Sequence, residues 1–151
     1  MKKILKLMVV ASLMLGAWAC SPEEKPQEEP QIEITPNNIS GSWMLSIWND
    51  EPLPEGSFVY IDFVRSDSTY TLYQNIDSFG TRIITGRFFL YVDEEIGAAV
   101  LRGNYDHSAG EWNHRYIVES LTATTMRLVA KDNAEDVHTY VRCTIPSEIV
   151  E

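Results

Sequence analysis

At 151 residues, with 22 Asp and Glu against 12 Lys and Arg, the chain carries a formal charge of −10. Three of those lysines, Lys2, Lys3 and Lys6, fall in a segment expected to be removed, which makes the mature protein more acidic still. A phosphate backbone would be repelled, so nucleic acid is excluded as a partner, while the same charge keeps a tethered domain soluble.

Met1 to Ala19 reads as an export signal: the lysines precede the apolar run Leu5 to Leu15, and small residues stand at Ala17 and Ala19. The run is short for a bilayer span, which takes roughly 20 apolar residues. Cys20 follows directly, at the position where bacterial lipoproteins are acylated. Two cleavage readings compete there. Ala17-Trp18-Ala19 is also an ordinary A-x-A site, and the lipoprotein peptidase usually meets Leu three residues before the cysteine, where this chain has Ala17. Lipidation of Cys20 is the preferred reading, because one of only two cysteines falls at the first mature position and a polar stretch follows it. The other reading is a soluble periplasmic protein in which Cys20 and Cys143 are both thiols and can pair. Two or more acyl chains would anchor the protein stably.

Residues 20–38 form the expected tether. Pro22, Pro26, Pro30 and Pro36 alternate with Glu23, Glu24, Glu28, Glu29 and Glu33. So little is apolar that the stretch is expected to be extended and disordered.

From Ile39 to Glu151 a single domain is expected. Apolar residues do not recur at helical spacing over any long window; short alternations broken by turn residues recur instead. Eight strands are expected: Gly41–Trp48, Ser57–Arg65, Ser68–Asn75, Arg82–Val92, Ala98–Tyr105, Asn113–Leu121, Thr124–Lys131 and Asp136–Cys143. The polar or Gly-bearing breaks between them are too short for parallel crossovers, so the order is an antiparallel meander. Its two open edges are best satisfied by closure, giving an all-β, eight-stranded up-and-down barrel. Alternation puts Val59, Ile61 and Phe63 inside, with Tyr70 and Leu72, and with Met126 and Leu128. The segment from Ile83 to Val92 is apolar on both faces, and an outward Phe89 and Tyr91 would make an exposed patch fit for a protein partner.

Two short motifs sit at the ends of this meander. Gly41-Ser42-Trp43 opens the first strand and Tyr140-Val141-Arg142 lies in the last, with further echoes in Gly86-Arg87-Phe88 and in Tyr116 to Leu128. Over roughly Ile39 to Cys143 the chain resembles the lipocalin-like domain lipoproteins of Bacteroidetes, whose G-x-W and final-strand arginine these residues match. The resemblance implies that Trp43 packs across the closed end of a barrel, that Arg142 stacks on its ring, and that Gly41 permits the close approach. It also implies a small apolar or amphipathic ligand. The acidic pair Glu23-Glu24 after Ser21-Pro22 resembles the signal that sends such lipoproteins to the outer face of the outer membrane; ordinary linker composition reads the same way. No evident helix follows the barrel.

The expected interior residues, Phe63, Tyr70, Leu72, Tyr116, Met126 and Tyr140, are bulky, and two outcomes stay open: a filled core or a cavity. Trp48, Tyr105 and Trp112 fall near strand ends, where an open mouth would be. No G-x-S-x-G, H-E-x-x-H, C-x-x-C or phosphate-loop pattern occurs, so no catalytic residue and no cofactor is assigned. His107, Glu111 and His114 are zinc ligands by type but read better as solvated hairpin residues, and Asp93-Glu94-Glu95 lacks the spacing of a calcium loop, so no metal is expected. Two functions follow: a barrel held at the outer membrane by Cys20 that binds a small apolar ligand, or the same barrel with a filled core that serves an envelope protein partner. Interior volume discriminates them, since a drug-sized ligand needs about 300 Å³ or more.

Overall fold

The computed structural model describes residues 27–151. Nine strands follow in chain order: β1 (Gly41–Trp48), β2 (Glu51–Pro52), β3 (Val59–Val64), β4 (Thr69–Gln74), β5 (Arg82–Asp93), β6 (Ala98–Tyr105), β7 (Tyr116–Leu121), β8 (Thr125–Ala130) and β9 (Asn133–Arg142). Eight correspond to the expected strands. The ninth, β2, is a two-residue flap on the end of β1, pairing Ile47 with Pro52 and Trp48 with Glu51.

Every pairing is antiparallel between neighbours, and β1 also pairs with β9, so β1 and β3–β9 close into an eight-stranded barrel. The closing register sets Trp43 directly opposite Arg142 and Trp48 opposite His138. Register shifts between Leu45 and Ile47, Val118 and Ser120, and Val129 and Ala130 mark bulges, which bend strands as closure requires. The thinnest seam joins β6 to β7: two pairs, Val100 with Ile117 and Leu101 with Tyr116, supplemented by a bridge from Asn104 to Glu111.

At one end the barrel is shut. The Trp43 indole is fully buried and donates Nε1–H to the Ile39 carbonyl at 2.8 Å. The Arg142 guanidinium carbon lies 3.9 Å from the indole centroid, and its nitrogens donate to the carbonyls of Asn38, at 2.8 Å, and Ser40. Stacking of this kind contributes about 0.5–2 kcal/mol. Gly41 has φ +105°, and a Cβ there would stand 2.9 Å from the guanidinium, so glycine meets both the backbone and the space requirement. Around this plug Ile39, Phe63, Phe88, Leu101, Leu121 and Met126 are buried, with Phe63 and Phe88 edge-to-face at 5.0 Å.

The expected tether is partly built into the fold. Glu29 Oε2 accepts from the hydroxyls of Thr122 and Thr124, each at 2.7 Å. Leu121 N–H donates to Gln31 Oε1, and Ile32 N–H donates to the Leu121 carbonyl at 2.8 Å. Ile32 and Ile34 pack against the core, and Pro36–Ile39 form a short helix, α1, with Thr35 as N-cap accepting from Asn38 N–H. The stretch from Glu29 to Asn38 is therefore docked rather than disordered, because Ile32 and Ile34 supply an apolar face that composition averaged over the segment conceals. Cys20 and the signal lie outside the described residues. At the other terminus Ser147–Val150 form one helical turn, α2.

The expected inward sets of β3, β4 and β8 all face in. In β5, Phe88 faces in, while outward Phe89 lies beneath the Arg102 guanidinium at 4.3 Å and Tyr91 receives a long hydrogen bond from Arg115. The open apolar patch expected there is partly covered by the guanidinium groups of Arg102 and Arg115. Trp43→Ala should lower unfolding stability by roughly 3–5 kcal/mol in chemical denaturation, since it empties the closed end and removes the platform for Arg142.

Candidate functional site

The opposite end of the barrel is open and hollow. A cavity of about 370 Å³ descends from the mouth, with Leu45, Val59, Ile61, Leu72, Ile76 and Ile84 supplying the apolar wall. The filled-core and cavity alternatives therefore divide the barrel between them: one half is packed, the other is a cup. Trp43, Phe63, Phe88 and Met126 are buried in the core and do not reach the cavity, whereas Leu45, Val59 and Ile61 line it.

Of the expected interior residues, Tyr70, Leu72, Tyr116 and Tyr140 line the cavity. Phe63 and Met126 do not; they are buried in the plug, at 2% and 0% exposure. Trp48, Tyr105 and Trp112 all reach the cavity as rim residues.

The opposing wall is aromatic and polar. A continuous belt of rings runs Trp48, His138, Tyr116, Trp112, Tyr70, with successive centroids 5.4, 5.1, 6.3 and 5.1 Å apart. The Tyr116–His138 pair is tilted and the other three are edge-to-face, a geometry that adds about 0.5–1.5 kcal/mol per aromatic pair. Two glycines make room for it. A Cβ on Gly103 would lie 2.2 Å from the Trp112 ring, and one on Gly86 would meet the Asn104 carbonyl oxygen and crowd the Tyr70 hydroxyl. Trp112 Nε1–H donates to the Tyr70 hydroxyl at 2.8 Å, which donates onward to the Asn104 carbonyl at 3.1 Å. This lock ties the segment between β6 and β7 to β4 and to β6.

Asp136 and His138 are the functional candidates that sequence reasoning missed. Both line the cavity from β9. Asp136 Oδ1 accepts from Trp48 Nε1 and from His138 Nε2, each at 2.9 Å. Desolvation alone would raise the Asp136 pKa, but the bonds from Trp48 and His138 outweigh it and hold the carboxyl below the ordinary range. Burial pushes the His138 pKa down, with Asp136 opposing it only in part, so the imidazole is neutral at neutral pH and donates its proton to the carboxylate. Burial also raises the phenols of Tyr70, Tyr116 and Tyr140, which stay protonated. The signal for this wall was the alternation Asp136, His138, Tyr140: once Tyr140 faces inward, the two residues at steps of two must share its face.

The His107, Glu111 and His114 trio does not converge. Glu111 pairs with Arg102 and Arg115, His114 with Asp132 at 2.8 Å, and His107 is exposed with φ +59° in the hairpin turn. No group of three potential ligands stands close enough to hold a metal ion among the described residues. In the other acidic turn, Asp93 binds Lys131 and caps the Glu95 N–H.

Two solved structures resemble this barrel, both from Bacteroides uniformis ATCC 8492. One is the crystal structure of a lipocalin-like protein, with TM-score 0.51 and 14% identity over 70% of this chain and 99% of that one. The other, solved by NMR, gives TM-score 0.53 and 14% identity over 75% of this chain and 94% of that one. No family model and no curated protein matches the chain. At this identity the likeness establishes the fold, a lipocalin-like β-barrel.

The pKa directions fix a pH dependence. A histidine whose folded pKa lies below its unfolded value of 6.5 leaves the unfolded state with more protons, so stability falls as pH drops below that value. Asp136, also lowered, has the same sign, with its loss beginning nearer its ordinary 3.8. Wild-type stability should therefore decline between pH 7 and 5, and His138→Gln should flatten that part of the profile when both are followed by chemical denaturation.

Proposed function

We propose that this protein is a non-catalytic binding module of the cell envelope, anchored through lipid on Cys20, that holds a small amphipathic molecule in the open half of its barrel. The observation that carries this reading is the cavity itself: about 370 Å³, apolar on one wall and hydrogen-bonding on the other, above the roughly 300 Å³ that a drug-sized ligand requires. A core built only for stability would fill that space, since unfilled volume is destabilising.

The route of the chain supports a particular arrangement of anchor and cup. Glu29 to Ile34 dock beside Leu121, Thr122 and Thr124, next to Arg142 at the closed end. Cys20 lies nine residues earlier, a reach of at most about 30 Å. Along the chain, the closed end rather than the mouth is therefore the end nearer the anchor. A second reading, docking of an envelope protein, draws on Phe79, fully exposed at the tip of the β4–β5 loop, with Ile76 and Ile83 half-exposed beside it.

The neutral apolar probe N-phenylnaphthylamine should bind wild-type protein with one-to-one saturation and quench tryptophan fluorescence from Trp48 and Trp112. Leu72→Trp, which fills the cup, should abolish that binding while the protein stays folded by circular dichroism. Absence of saturable binding to the wild type would favour the docking reading. Separately, Cys20→Ala should move the protein from the membrane to the soluble fraction of its host, and unchanged fractionation would reject the lipid anchor.

A further inference from the structure

From the charge and ring pattern of the cavity wall we infer that the cup selects a cationic ligand, an organic amine or quaternary ammonium with an apolar body, and disfavours carboxylates such as fatty acids. The inference rests on the cavity being a binding site and adds the chemical class of what it takes.

The lining contains no lysine or arginine among the described residues, and its second histidine, His114, is turned to Asp132 at 2.8 Å. Its one carboxylate is Asp136. Both partners of that carboxylate, Trp48 and His138, donate to the same oxygen, so Oδ2 has no hydrogen bond within the described protein. Neither partner carries a compensating charge, because an indole is neutral and His138 is held neutral by burial. The Asp136 side chain is only 16% exposed, so its field acts on the cavity with less screening than a surface acid has.

The rings around it suit the same charge. Trp48 and Tyr116 flank the Asp136–His138 pair, and Trp112 and Tyr105 complete the rim. Faces of indole and phenol attract ammonium groups, and clusters of such rings are the recognised means of holding quaternary ammonium. An ammonium group beside Oδ2 would meet the carboxylate and the ring faces together, with its alkyl part against Leu45, Ile61 and Leu72. A carboxylate head in the same place would meet Asp136 with no cation to offset the repulsion.

The test compares octyltrimethylammonium, octanol and octanoate, probes with the same chain and different heads, by isothermal titration below their aggregation concentrations. The wild type should bind the cation about tenfold more tightly than octanol, and octanoate least. Asp136→Asn should lower the cation-to-octanoate affinity ratio about tenfold at physiological salt. The ring faces and the acidic protein as a whole still favour cations in the variant, so a ratio unchanged by Asp136→Asn overturns the assignment to this carboxylate. Should octanol bind while the cation binds no better than octanoate, the inference on charge fails and the binding cavity stands. If none of the three binds, the cavity reading itself fails. A Trp48→Leu variant gives a second measure independent of the carboxylate: it should weaken cation binding more than octanol binding.

Discussion

An eight-strand meander leaves one unpaired ladder at each end, and in this chain the two meet where the indole of Trp43 lies beneath the guanidinium of Arg142. Closing strands so far apart in sequence costs chain entropy before any contact repays it. The contact is correspondingly dense. It combines a fully buried indole, a stacked cation and three hydrogen bonds to the carbonyls of Ile39, Asn38 and Ser40, where α1 ends and β1 begins. Those carbonyls belong to a helix end that would otherwise lack partners, so one arginine both closes the barrel and caps the segment beneath it.

Concentrating closure at one end relieves the other of packing duty. With Phe63, Phe88, Leu121 and Met126 stacked on the plug, the strands need no filled interior above Leu45 and Ile61 to stay in register. Beside the short β6–β7 seam, the Trp112–Tyr70–Asn104 chain of hydrogen bonds braces the upper half by fastening the connecting segment to β4 and β6. The brace is made of the same rings that line the cup. Gly86 and Gly103, by leaving out a Cβ, allow those rings to lie against the wall instead of blocking the axis.

How much of this was legible depended on how local the signal was. Strand positions and faces were readable because period-two alternation and short polar breaks are local, and the closure pair was readable because G-x-W and the last-strand arginine are recognisable motifs. The docking of the segment before β1 is hidden in the sequence because Glu and Pro dominate its composition. Thr35-Pro36 is nevertheless a helix-start signal, an N-cap residue followed by proline, and Ile32 and Ile34 are spaced for one face. Which bulky residues would plug and which would line was not readable at all. Phe63 and Tyr70 sit opposite each other in the β3–β4 register, yet one ends in the plug and the other lines the cup, a difference that alternation does not encode.

Asp136 is the residue least explained by the demands of the fold. A carboxylate in a partly dehydrated wall is costly unless it is paired with a cation, and this one is not. Its neighbours spend their donors on it: Trp48, at the end of β1, and His138, its cross-strand partner, both point their N–H groups at one oxygen. An apolar β-branched residue would satisfy the β-barrel as a scaffold better, as Val137 and Val141 do on the other face of the same strand. A charge kept against that cost, fixed in direction by two donors and set among ring faces at the lip of a hollow, is arranged for something that enters from outside.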